Sequence, residues 1–333
     1  MQGLSIIIVN YKSAGLILDC LQTIYTQTSM QNMELIVVDN ASGEDDEIII
    51  KNNFPNIRWF QMGYNAGFSR ANNMGIKNAV FDTVLLLNGD TLNEENAIEK
   101  CYQQFVATDY VACGVQLLNA DRTPQISGLF VMKGALNYLM LLPFMGDFLR
   151  WQAFKIKISK TNIPEAIGTV EVDWVNGAYL MVKKESIEKA GLMDEDFFLY
   201  CEEIEWCGRL RKQGKICIFG NLHVVHLQGV SINKAFKSAS QGYSNIFDKK
   251  GKQMMVSTFL RIRKQFGLCW FFFHLVCYFI ELPIFFFGVL ITSILSKNGL
   301  KMKDFAGFCK NFFTVITLTP KMVLNKPHFY KML

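Results

Sequence analysis

The chain has 333 residues, half of them hydrophobic and 19% charged, with 34 lysines and arginines against 29 aspartates and glutamates. This composition excludes a disordered chain, a fibrous repeat and a small disulfide-held scaffold, and the length suffices for one large or two smaller domains with a sizeable core. The net +5 conceals a split: residues 1–230 carry 19 basic and 26 acidic groups, residues 231–265 eight basic groups and only Asp248, and residues 297–333 seven lysines and only Asp304. A basic C-terminal third behind an acidic body points to a membrane or polyanion partner for that third. Nine cysteines without a C-x-x-C pair suit reduced thiols better than a disulfide framework or zinc knuckle. Met1-Gln2-Gly3 runs into an apolar stretch without a signal peptide's basic start, so exposure to cytoplasm is expected.

In chain order, Leu4 to Val9 is apolar enough for a buried central strand, followed by a polar turn and a helix from about Gly15 to Thr26. Glu34 to Val38 is a second strand that stops at Asp39-Asn40-Ala41-Ser42-Gly43. Ile57 to Phe60 is a weaker third strand, Gly67 to Asn78 a helix, and Thr83 to Leu87 a fourth strand ending at Asn88-Gly89-Asp90. Short apolar runs alternating with helices predict a mostly parallel α/β sheet, in which ligands bind beyond the carboxyl ends of strands. Three polar clusters at three strand ends therefore suggest one nucleotide-sized site.

Tyr110 to Gly114 reads as a strand, and residues 129–151 as an amphipathic or loosely structured insertion near a membrane or substrate. Val170 to Trp174 and Ala178 to Val182 are strands, Cys201 to Gln213 a helix ended by Gly214, and Ile216–Phe219 with His223–His226 a last strand region. Phe266 to Leu295 is almost wholly apolar apart from Glu281. As one helix it would reach roughly 45 Å, more than a bilayer core of about 30 Å. Pro283 predicts a division into two arms, and basic flanks at both ends favour a re-entrant hairpin or an interfacial pair over a single crossing.

The chemistry lies at the strand ends. If the fourth strand stays extended to Asp90, Asn88 and Asp90 share a face and can reach one hard divalent cation, Mg²⁺ or Mn²⁺; the plain alternative is an N-G-D turn. Asp39 can accept from the imide N–H of a uracil or thymine, and Asn65 to Asn73 sets small residues and amides at a helix start suited to a diphosphate or sugar; either can also be an ordinary cap. Six acids lie between Asp194 and Glu205. Glu205 with Arg209 reads as a solvated pair, whereas Glu202 or Glu203, beside Phe197, Phe198 and Trp206, can act as a general base in a cleft. His223 and His226 face opposite sides of a strand, so one of them, with Gly229 and Ser231 behind it, can approach the cation or diphosphate.

Taken together, S-I-I-I-V-N-Y at 5–11, V-V-D-N-A-S at 37–42, N-A-G-F-S-R-A-N-N at 65–73, L-L-N-G-D at 86–90, W-V-N-G-A at 174–178 and the Asp194 to Arg209 stretch resemble family 2 glycosyltransferases, most closely the rhamnosyltransferase-like branch. The resemblance spans about residues 4–231. It implies a GT-A fold and inverting transfer of a sugar from a nucleoside diphosphate to an acceptor hydroxyl. By the same resemblance Asn10 and Asp39, with Asn40, fall on nucleoside-contacting positions, and Asn65, Gly67 and Asn72 on the donor-binding loop, with Asn88 beside it. Asp90 falls on the metal-binding end of a D-x-D signature whose first position here is Asn88. Glu203 matches the general base, Glu202 being next; His226 matches a metal or diphosphate contact, and Trp174, Gly177 and Ala178 line the acceptor side.

The organisation expected is a GT-A body over 1–230, with a nucleotide-sugar half (1–110) and an acceptor half (111–230). A basic linker (231–265), a hydrophobic membrane-inserting segment (266–296) and a basic amphipathic tail (297–333) follow. The implied partners are a nucleoside diphosphate sugar, a lipid-linked or glycan acceptor and the cytoplasmic face of the cell membrane, with no nucleic acid. A dTDP-linked rhamnose-like donor is favoured; a UDP-hexose donor, or a catalytically inert sugar-nucleotide-binding subunit, is the alternative.

Overall fold

The computed structural model describes residues 1–28, 31–158, 160–227, 246–295 and 299–333. The chain divides into two compact units, one of residues 1–130, 162–198 and 202–235, the other of residues 131–161, 199–201 and 236–333. A single boundary near residue 230 is thus corrected, because residues 131–161 of the expected acceptor half belong with the C-terminal unit.

In the first unit β1 (Leu4–Asn10), α1 (Ala14–Gln27), β2 (Met33–Asp39), α2 (Glu44–Asn53), β3 (Arg58–Gln61), α3 (Gly67–Asn78) and β4 (Thr83–Asn88) form the parallel half of a sheet ordered β3-β2-β1-β4. Leu4, Ile6 and Ile8 pack with Ile17, Leu21 and Ile24 of α1 in one buried cluster, the two-residue period of a strand meeting the apolar face of a helix. On the other side, a Cβ at Gly75 of α3 would lie 2.4 Å from Ile7, so a residue without a side chain is what lets α3 pack there.

Next come β5 (Thr91–Asn93), α4 (Ala97–Val106), β6 (Ala112–Leu118), β7 (Gly128–Leu129), β8 (Asn162–Ile163), β9 (Thr169–Val172), β10 (Trp174–Val175), β11 (Tyr179–Lys183), α6 (Lys184–Ala190), α7 (Glu202–Leu210) and β12 (Ile216–His226); α5 (Met145–Lys155) lies in the second unit. They extend the sheet as β4-β11-β6-β12-β5, with β11 antiparallel to β4 and β6, and β9 along β12. A small antiparallel sheet β10-β7-β8 stands apart. The helices α2 and α4 have no counterpart in the sequence reading.

The second unit begins with a 3-10 segment (Lys133–Leu141) and α5 (Met145–Lys155), so residues 129–151 are ordered rather than loose. The helices α8 (Lys249–Phe266), α9 (Leu268–Leu295) and α10 (Met302–Leu324) complete it. Two corrections follow. Residues 249–265 are not a linker: α8 buries Met254, Met255, Phe259, Leu260 and Ile262, and with them Lys250 and Arg261, so part of the basic charge is interior. The start of the expected linker, with Gly229 and Ser231, lies outside the described residues. Second, Pro283 does not split the apolar run, for α9 continues through it, with Pro283 on the exposed face.

Candidate active site

Three adjacent parallel strands, β2, β1 and β4, end in Asp39, Asn10 and Asn88. Buried Asn10 donates through Nδ2 to Asp39 Oδ1 and Asp46 Oδ2, each at 2.8 Å, while its Oδ1 accepts from the Ser13 backbone N at 3.2 Å and the Ser13 Oγ at 3.1 Å. Asp39 accepts the Ser42 amide at 3.1 Å. Asn40 ties this end to the next loop: its Oδ1 accepts from Ala66 N at 2.7 Å, and its Nδ2 donates to Asn65 Oδ1 at 3.1 Å. Gly67 opens α3 with φ +75°, and a Cβ there would lie 2.3 Å from the Phe198 carbonyl oxygen, so only glycine fits. Asn72 is buried and donates to Phe68 O at 3.0 Å within its own helix. The neighbouring Asn73 bonds Met193 and Glu195, pinning α3 to the loop ahead of α7.

The end of β4, where a cation is expected, differs in detail from the extended-strand expectation. β4 stops at Asn88, residues 89–90 turn, and Thr91 Oγ1 closes the turn on Asn88 O at 2.8 Å. A Cβ at Gly89 would sit 2.6 Å from Ile17. The turn rather than strand alternation brings both side chains to one atom: His226 Nε2 lies 3.4 Å from Asn88 Nδ2 and 3.4 Å from Asp90 Oδ1. Asp90 and His226 are both more than nine-tenths buried, whereas His223 is exposed on the other face of β12.

His226 is held from behind by a residue the sequence reading missed. Its Nδ1 is 3.0 Å from Gln125 Oε1, while Gln125 Nε2 donates to His226 O at 2.6 Å and to Asn119 Oδ1 at 2.8 Å. Those acceptors fix the amide's orientation, so Nδ1 carries a proton and donates to Oε1. The Nε2 lone pair is then left for the Asn88 and Asp90 side. An imidazole nitrogen and a carboxylate, one braced by an amide, suit a divalent cation. Among the described residues no cluster of three or more His, Cys, Asp or Glu side chains could hold a metal alone, so a cation here would draw its other ligands from elsewhere.

One loop joins this end to the candidate base. Asn88 N donates to Ala178 O at 3.0 Å, Ala178 N donates to Asn176 Oδ1 at 3.0 Å, and a Cβ at Gly177 would fall 3.4 Å from Glu203 Cγ. The Ala178 methyl is in the hydrophobic core, so its contribution is the carbonyl rather than an acceptor-lining side chain. Trp174 is buried in β10, and its indole N–H has no hydrogen-bond partner among the described residues.

Glu202 and Glu203 open α7. Tyr200 (φ +70°) and Cys201 (φ +68°) precede them, two consecutive non-glycine residues in the left-handed region, at about 1–3 kcal/mol each. Such strain is retained where it positions something. Glu202 is buried, and burial first, then the charge of Glu203, holds its carboxyl well above the usual range. Its Oε2 meets no hydrogen-bond donor among the described residues. Glu203 is half-buried against Gly177, the less enclosed of the two carboxylates, with its Oε2 covered. Glu205 is not a solvated partner: largely buried, it is held in a fork by Arg209, which also donates to Ala190 O at the end of α6.

The fold and this row of strand ends define a GT-A-like nucleotide-sugar architecture. Residues 5–158 match the model of Glycosyl transferase family 2. The low-salt glycan biosynthesis hexosyltransferase Agl10 of Haloferax volcanii is 30% identical over 218 residues, covering 64% of this chain and 63% of that relative. The rhamnosyltransferase WbbL of Escherichia coli is 26% identical over 223 residues, 60% of this chain and 80% of the relative. Among solved structures, the mannosyltransferase PcManGT of Pyrobaculum calidifontis, in complex with GDP-Man and Mn²⁺, superposes with a TM-score of 0.51 at 13% identity over 97% of this chain and 87% of its own. Over its N-terminal body, residues 5–158, this chain is similar to family 2 glycosyltransferases.

Proposed function

We propose that the protein is an inverting glycosyltransferase, moving a sugar from a nucleoside diphosphate to a hydroxyl of a lipid-linked glycan acceptor at the cytoplasmic face of a membrane. The observation that carries the reading is the continuous path Asp90/His226, Asn88, Ala178, Gly177, Glu203, which couples the Asp90/His226 end to a half-buried carboxylate through one loop. Asn10, Asp39 and Asn40 form the nucleoside end, Asp39 offering acceptor oxygens to a base N–H. Asn65 and Gly67 let backbone approach the donor at the start of α3.

Asp90 and His226 would hold Mg²⁺ or Mn²⁺, with Asn88 beside them and the donor diphosphate completing the shell. When bound, the cation supplies charge neutralisation on the departing diphosphate. Glu203 takes the proton from the acceptor hydroxyl as its oxygen attacks the anomeric carbon opposite the leaving group, and this single displacement inverts the centre. Burial, and then the charge of Glu203, favour the neutral form of Glu202 behind it, which makes Glu203 the better proton acceptor of the two. Trp174, buried in β10, backs the acceptor side, and Gly177 leaves a gap without a side chain there.

A dTDP-linked rhamnose-like donor is favoured by the likeness to a rhamnosyltransferase. The UDP-hexose alternative keeps the same site. Calorimetric titration of the full chain with dTDP-rhamnose, UDP-glucose and GDP-mannose, each with Mn²⁺, decides among them. One donor binding at least tenfold tighter, with nucleotide release on adding a glycan acceptor, is the expected result. No binding to any of them rejects the reading.

A further inference from the structure

The second unit leaves an apolar surface that the site does not use. α9 has two faces. Phe271, His274, Leu275, Tyr278, Glu281, Phe285 and Val289 are buried at helical spacing, whereas Phe272, Phe279, Ile280, Phe287 and Ile291 are exposed by 46–65%. α10 repeats this, burying Phe308, Phe312 and Val315 while Phe313 and Ile316 stand out. An exposed apolar stripe of this extent marks an interaction surface.

The helix is long enough to cross a bilayer, with 25 residues of mean hydropathy 2.2. What packs on its buried face argues against crossing. Glu281, at its midpoint, accepts from the Phe144 and Met145 amides at 2.9 and 3.1 Å, so its carboxylate caps the start of α5. A Cβ at Gly288 would lie 2.5 Å from the Phe144 ring, which sets the same point of α5 beside the next turns of α9. Two turns from Glu281, His274 Nε2 lies 3.3 Å from Ala135 O, in the irregular 3-10 segment. If α9 crossed, this irregular backbone and the first turns of α5 would sit at mid-bilayer. Asp147 and Arg150, which pair there with more than half of each side chain exposed, would face hydrocarbon. Each charge at that depth costs about 2.5–3.5 kcal/mol or more. Lying in the interface removes that cost. Lys303, Lys310 and Lys321 on α10, with Lys301 and Lys326 at its ends, are exposed, and Lys155 stands over the Trp151 ring on α5 at 3.6 Å. That mixture of basic and aromatic groups matches an anionic head-group layer.

We infer that α9 lies in the plane of an anionic leaflet, its Phe272, Phe279 and Phe287 face immersed among the acyl chains, and does not span the bilayer. This rests on the membrane placement proposed above and fixes its geometry. The full chain is bound to vesicles of equal parts phosphatidylcholine and phosphatidylglycerol, with tryptophan placed singly by Phe272→Trp, Phe279→Trp and Phe287→Trp. Its added emission is quenched by lipids labelled near the head group or near the chain end. The expected result is that all three are quenched alike and best by the shallow label. Deep quenching of Phe279→Trp alone, with shallow ends, overturns the inference in favour of a crossing helix. No quenching, with a cross-linked dimer, overturns it in favour of a second copy on this face. Phe279→Lys should weaken vesicle binding about tenfold or more while donor titration is unchanged. Loss of donor binding by the unaltered chain would sink the transferase reading and leave the depth result standing.

Discussion

The two units invert the usual distribution of side chains in opposite ways. The sheet unit buries polar groups, with Asn10, Asp39, Asn40, Asp90 and His226 all inside. The helical unit exposes apolar ones along α9 and α10. Large exposed apolar patches and buried polar groups are the informative departures from ordinary burial. In the first unit these five are tied to specific partners, as Asn10 is to Asp39, Asp46 and Ser13, so they read as a pre-organised site. In the second the exposed groups share no such geometry. Their common property is apolarity, which suits a fluid partner rather than a shaped one.

Substitutions in the sheet unit should therefore act on chemistry and donor binding, and the largest effect is expected at the metal end. Asp90→Ala should cut transfer by about 10²–10³-fold and remove the Mn²⁺ dependence of donor binding, read by calorimetry with and without the ion. Unchanged metal dependence would break the assignment. Gly67→Ala combines a left-handed φ with a clash against Phe198 O and should cost about 2–3 kcal/mol, seen as a lower melting temperature and weaker donor binding. Gln125→Leu leaves His226 in place but frees its ring, and should weaken Mn²⁺-dependent nucleotide binding about 10- to 100-fold with little change in melting.

The smallest effect concerns Glu202. Its carboxyl is raised by burial and by Glu203, so the folded state binds its proton more tightly than the unfolded chain does. The stability this gives is fully present below the ordinary carboxylate range and is lost as pH rises through the raised value. Glu202→Gln should remove that decline and raise the melting temperature at pH 8 by about 2–4 °C, the shift of ~1 kcal/mol in a body of this size. A variant as pH-sensitive as the parent would break the account of Glu202 as a buried neutral acid.

Much of the sheet unit was legible in the residues because its strands are buried on both faces and read as unbroken apolar runs, LSIIIVN and TVLLLN among them. α3 was legible down to its ends. α2 was not: its only apolar residues are the consecutive Ile48, Ile49 and Ile50, of which only the last is buried, so no helical period shows and its Asp46 was missed as a partner of Asn10. Gln125 was invisible because it meets His226 across 101 residues of sequence, a contact made by sheet closure. In the second unit, hydropathy exposed α9 but hid its two faces, since phenylalanines are on both. Lysine and arginine counts misled over α8, whose Arg261 is interior.

The central claim, that Glu203 is the base of a transfer reaction at the strand ends, is tested most directly by Glu203→Gln in the full chain, with the preferred donor, Mn²⁺ and a glycan acceptor. The account predicts that transfer falls by about 10²–10⁴-fold while the donor dissociation constant stays within twofold or so of the parent's. Near-normal transfer by the variant would contradict it.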